Sequence, residues 1–179
     1  MQRTHNKHDH DHDHDDQGDC HPVADQHSVN RYQKHGVQFQ FPSDWVLTEQ
    51  STDDETTISL QSDGTSFWTL MLFNSRPDPE DVVDTVVSAI EQDYEDVDVS
   101  SSMDDLGGFP SLVRELDFVC YDLVNSATVR AFQTSQQTVM VLYQGTDHEL
   151  AVTRDQLVAV TRSLQIEDED ETQNGFDEE

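Results

Sequence analysis

"RPDPEDVVDTVVSAIEQDY", residues 76–94, is the stretch on which the fold turns. Pro79 has no backbone N–H to leave unsatisfied, so it suits the first position of a helix, and Asp78 before it can accept from the first free amides. Glu80 and Asp81 then face the positive end of the helix dipole. Val82, Val86, Ile90 and Tyr94 fall four apart with Val83 and Val87 beside them, which lays one apolar stripe along the helix. Such a stripe needs an apolar surface to cover, and the segments on either side read as strands.

Upstream, "VQFQF" (37–41) places Val37, Phe39 and Phe41 on one face, and Pro42 closes the strand. "TTISLQ" (56–61) follows, then "SFWTLMLFN" (66–74), whose near-continuous apolarity predicts a central strand covered on both faces. Downstream, "DVDVSSS" (96–102), "FPSLVRELDFVC" (109–120), "SATVRAFQT" (126–134) and "QTVMVLYQG" (137–145) read as strands joined by the hairpin-like "DDLGG", "DLVN" and "SQQ". A second helix is expected from "TRDQ" (153–156), where Thr153 and Gln156 have capping-box spacing, through Leu157, Val160 and Leu164. This order predicts an α+β domain, an antiparallel β-sheet of about six strands with helices packed on its faces. The domain is assigned to residues 34–166, between a His/Asp-rich leader at 1–33 and an acidic tail at 167–179. Both flanks have too few apolar residues to offset the entropy of ordering, so both are expected to be disordered.

The layout resembles the PsbP-like superfamily. "HGVQFQFPSDWVL" (35–47) is similar to the opening of these domains, a short strand leading into a Pro-x-x-Trp turn. The likeness continues through the helix after the third strand, "GGFPSLVRELDF" (107–118) and the closing "LVAVTRSLQI" (157–166). Phe41, Pro42, Trp45, Gly108 and Leu164 are the best correspondences, and all are structural positions: a strand end, a turn, a core plug, a hairpin glycine and a helix contact. The superfamily includes photosystem II extrinsic proteins, a Ran-binding family, bacterial DcrB-like proteins and chaperones of type VI secretion effectors. It has no shared catalytic residue, so the resemblance implies a fold and brings no active site with it. "WVLTEQSTDDE" (45–55) departs from the pattern of the secretion-chaperone branch after its tryptophan.

The chain of 179 residues carries 38 acidic against 9 basic residues, a formal net charge of −29. The assigned domain is acidic in its own right, which disfavours nucleic acid and anionic lipid as partners and suits cations, a cationic protein or a salty milieu. Scarce lysine, only Lys7 and Lys34, fits a salt-adapted bacterial protein. No segment reaches the ~20 apolar residues of a membrane span. "MQRTHNKHDH" lacks the apolar core of a signal peptide, and "DDQGDC" lacks the apolar run that precedes a lipoprotein cysteine. The expectation is therefore a cytoplasmic monomer. Two cysteines, Cys20 and Cys120, make no disulfide framework, and Cys120 at the end of an apolar strand reads as a buried thiol.

One segment advertises chemistry. "HDHDHDHDD" (8–16) alternates imidazole with carboxylate, and Cys20–His21 follows. Neutral imidazole is a good ligand for Zn, Ni or Cu(II), and interleaved aspartates lower the electrostatic cost of a dication. His8, His10, His12, His14, Cys20 and His21 are the candidate ligands of a flexible divalent-metal site that needs no further cofactor. The bland alternative is a polar low-complexity leader that binds metal incidentally.

Catalysis has weaker support. His148 in "TDHEL" lies beside Asp147 and Glu149 near a helix entrance, where a surface or capping role is the expectation. His35 sits at the domain edge. Asp53–Asp54 and Asp104–Asp105 fall in turn-like contexts, and there is no Gly-x-Ser-x-Gly, phosphate loop or Cys-x-x-Cys. Trp68 and Leu70 would line a partner groove if they faced away from the helices, and would be core if they faced them. The reading is a non-enzymatic binding or adaptor protein with a metal-capable leader. The alternative is a chaperone-like module for a secreted type VI or membrane effector.

Overall fold

The computed structural model describes residues 28–167. In chain order these form β1 (Val29–Lys34), β2 (Val37–Pro42), β3 (Val46–Ser51), β4 (Glu55–Gln61), β5 (Phe67–Phe73), α1 (Pro79–Asp93), β6 (Asp98–Leu106), β7 (Phe109–Cys120), β8 (Leu123–Gln133), β9 (Thr138–Thr146), α2 (Asp147–Arg162) and β10 (Gln165–Ile166). Seven strands make one antiparallel sheet in the order β3-β4-β5-β9-β8-β7-β6, and β1-β2-β10 make a small second sheet. The α+β class and the helix-covered antiparallel sheet are as expected, but the main sheet is larger than six strands. The first strand begins at Val29, upstream of the boundary drawn at residue 34, because Tyr32 is the one buried side chain of β1 and the strand is held by its pairing with β2.

Each face of the main sheet has its own apolar layer. On one face Ile58, Leu60, Trp68, Leu70, Leu72, Val139 and Val141 pack under α2 and the small sheet, together with Phe39, Trp45, Leu157 and Leu164. On the other, Val82 and Val83 of α1 lie on Leu116, Phe118, Ala127, Val129, Ala131 and Met140. Strand β5 alternates between buried and half-buried residues, so only its α2 side is fully covered. The short α1 reaches β7, β8 and β9 and leaves the other side of β5 partly open.

Local sequence accounts for α1. Asp78 caps it by accepting from the Glu80 amide at 2.8 Å, with Pro79 in the first turn. Helix α2 begins six residues before the expected Thr153. Its cap is Thr146, whose hydroxyl accepts from the Glu149 amide, so the working Thr-x-x-Glu signal lies upstream. The Thr153 hydroxyl donates back to the Glu149 carbonyl at 2.8 Å, as a threonine inside a helix does.

Candidate binding surface

Three hairpins turn through two residues at positive φ, the geometry that follows the right-handed twist of paired strands. His35–Gly36 joins β1 to β2 and Gly107–Gly108 joins β6 to β7, so glycine relieves each of these turns. The third, Tyr121–Asp122 between β7 and β8, has no glycine, and both residues sit in the left-handed region at φ 50° and 62°. The expected connection was the longer "DLVN" (122–125), but β8 already starts at Leu123 because Leu123 and Val124 pair with Cys120 and Val119. A bulky residue there is strained and persists only where its surroundings hold it.

That strained turn is also the most solvent-facing apolar point of the domain. Tyr121 is 95% exposed, and Val119, Leu123 and Val124 around it are about half exposed. Val119 and Val124 are cross-strand partners, so their side chains share one face of the hairpin.

Further down the hairpin the same face becomes polar. Beside α2, a cleft of about 420 Å³ is lined by Asp98, Ser100, Glu115, Asp117, Ser126, Thr128 and, from the helix, Arg154. Asp98 stands directly opposite Asp117, and Ser100 opposite Glu115. Ser126 donates to Asp117, and Ser100 is 3.5 Å from Glu115. Among the described residues none of these three carboxylates has a basic group within 4 Å. Arg130, the other arginine on this face, is engaged by Asp104 at 3.2 Å.

A carboxylate at the opposite side of the sheet is treated differently. Glu49 of β3 accepts from the His35 ring at 2.8 Å, Lys34 at 3.0 Å and the Tyr32 hydroxyl at 3.1 Å. Hydrogen bonds from His35 and then Lys34 hold its carboxyl down at about 2, while burial and the Glu49 carboxylate push the Tyr32 phenol upward.

Other candidates from the sequence are dispersed. Trp68 and Leu70 are wholly buried, and the indole N–H of Trp68 donates to Thr161 Oγ1 at 2.9 Å, so they line no groove. Trp45, Phe41 and Leu164 are core, and Gly108 is a hairpin glycine at φ 90°. His148 is exposed at the start of α2, its amide bonded to Asp147. Cys120 is half-buried rather than buried, because the strand end emerges beside Tyr94, whose phenol is raised chiefly by hydrogen bonding to the thiol. The Asp53 and Asp54 carbonyls accept from Asn74 in a turn. His8, His10, His12, His14, Cys20 and His21 lie outside the described residues. Among the described residues no group of three or more His, Cys, Asp or Glu is placed to hold a metal ion, and no helix is long and apolar enough to cross a membrane.

No family model and no curated protein matches the sequence. Solved structures do. The cyanobacterial PsbP of Synechocystis sp. PCC 6803 superposes with a TM-score of 0.61 at 12% identity, covering 84% of this chain and 99% of that one. A protein of unknown function from Pseudomonas aeruginosa, a putative regulator, matches at 0.48 and 10% identity, over 75% of this chain and 94% of that one. LpqN of Mycobacterium tuberculosis, described as involved in cell envelope biogenesis, matches at 0.46 and 12% identity, over 78% and 90%. The chain therefore has the PsbP-like fold.

Proposed function

We propose that this domain is a non-catalytic binding module whose contact surface is the β7–β8 hairpin tip and the open sheet flank below it. The observation that carries the reading is Tyr121, an aromatic 95% exposed at a left-handed turn position that favours glycine. A strained exposed aromatic beside three further exposed apolar side chains is costly in an isolated domain and useful at an interface. The narrower form, a chaperone for a secreted or membrane effector, draws support from the apolar character of this tip.

A photo-crosslinking amino acid placed at Tyr121, with Val152 on α2 as an exposed control, tests the reading in native extract. Adducts concentrated at 121 support it. Equal yields at the two positions would remove its basis.

The second reading is capture of Zn, Ni or Cu by His8, His10, His12, His14, Cys20 and His21. It is supported by their alternation with aspartate. Calorimetric titration of the full chain with nickel, before and after replacing the four alternating histidines with alanine, decides it. Binding that survives the replacement places the metal elsewhere. Affinity should fall between pH 7 and 6 as protons compete for imidazole.

A further inference from the structure

We propose that the outer edge of β6 receives an extended, cationic segment of a partner protein, added to the sheet as an eighth strand. This rests on the binding-module reading and names the partner's chemistry. Strand β6 is the last in the sheet, nine residues long, and every residue but Leu106 is exposed. Its register pairs it with β7 on one side only. A regular strand of this length offers a template for main-chain pairing along ~30 Å.

The two faces of that edge ask for different side chains. Asp98, Ser100 and Ser102 alternate on the cleft side, backed by Asp117 and Glu115 of β7. Val99 and Met103 stand on the other side and are 39% and 70% exposed. An added strand therefore meets Asp98, two serines and the Arg130-paired Asp104 at one set of alternate positions, and Val99, Ser101, Met103 and Asp105 at the other. Basic and apolar residues in period 2 match both.

Charge selects the occupant. Pairing of two β6 edges would bring like charges together on chains that each carry −29, so a second copy is repelled. Edge carboxylates guard against self-association, and here the same groups favour a strand of opposite sign. The fold does pair a carboxylate internally at Glu49, which accepts from Lys34 and the His35 ring. Glu115 and Asp117 accept instead from the hydroxyls of Ser100 and Ser126, and among the described residues Arg154 is the one basic residue lining the cleft that they share with Asp98.

The test uses the full chain and three nine-residue peptides: alternating Lys-Val, alternating Glu-Val, and one with its lysines and valines in separate blocks. Fluorescence anisotropy should show binding of the first, weakening as salt rises, no binding of the second, and reduced binding of the third. Amide exchange should slow along β6, and N-methylation of alternate peptide amides on the pairing edge should abolish both effects. Asp98→Asn with Asp117→Asn, two exposed positions, should weaken binding about fivefold. Equal binding of alternating and blocked peptides without protection of β6 would mean charge attraction alone and overturn the proposal, as would failure of all three peptides. Crosslinking at Tyr121 is independent of these peptides, so the edge proposal can fail while the binding-module reading stands.

Discussion

Trp68 of β5 donates its indole N–H to the hydroxyl of Thr161 in the last turn of α2, at 2.9 Å and fully shielded from water. The bond fixes the end of the helix over the sheet, and the same indole lies 4.9 Å from the ring of Phe39 in the small sheet. One side chain thus ties three layers. Thr161→Val keeps the volume and orphans a buried donor, which should lower stability by about 1–3 kcal/mol. Urea unfolding should show a lower midpoint with an unchanged slope, and Thr161→Ser should recover most of the loss.

Glu49 supplies a pH dependence. Its carboxyl is held at about 2 in the folded protein against an ordinary 4.5. A depressed pKa contributes stability above the unfolded value, lost as pH falls through the folded one. The wild type should therefore lose this contribution between about pH 4.5 and 2. Glu49→Gln should be less stable than wild type at pH 7 and converge with it near pH 2. A constant difference from pH 7 to 2 would contradict the assignment.

The hairpin tip should trade stability for contact. Tyr121→Asn with Asp122→Gly supplies residues that accept positive φ, so it should stabilise the domain by about 1–2 kcal/mol. The same change removes the exposed aromatic and should reduce partner capture. Thermal unfolding and a binding assay on one preparation would show the two effects moving in opposite directions.

Gly145 sits where β9 passes into α2. A Cβ there would lie 2.5 Å from Ser66 Oγ and 3.0 Å from Leu150 Cδ2. Gly145→Ala should displace the first turn of α2, which Glu149 anchors by accepting from the Thr65 amide at 2.6 Å. A loss of about 1–3 kcal/mol is expected. Faster amide exchange confined to the start of α2 would locate it.

Much of this molecule was legible locally. The Asp78–Pro79 start of α1, the bounds of β7 and the apolar faces of β2 and β5 follow from capping and period-2 chemistry within a few residues. Strand β3, "VLTEQS", escaped because its register with β4 holds it rather than any apolar run. Strand β1 escaped for the same reason. Two Thr-x-x-Glu/Gln spacings compete for the start of α2, and only the upstream threonine accepts from a helix amide, while the Thr153 hydroxyl donates back into the helix.

The binding surface was not legible, since no local pattern tells how far a helix reaches across a sheet. The sequence by itself determined the class of the fold, one well-capped helix and which residues alternate. Tertiary structure alone decided which face each alternation meets. It buried Trp68 under α2, left Asp98, Glu115 and Asp117 together on the exposed flank beside the helix, and held Tyr121 outward. Periodicity is encoded between neighbours in the chain, whereas coverage depends on elements that meet only after folding.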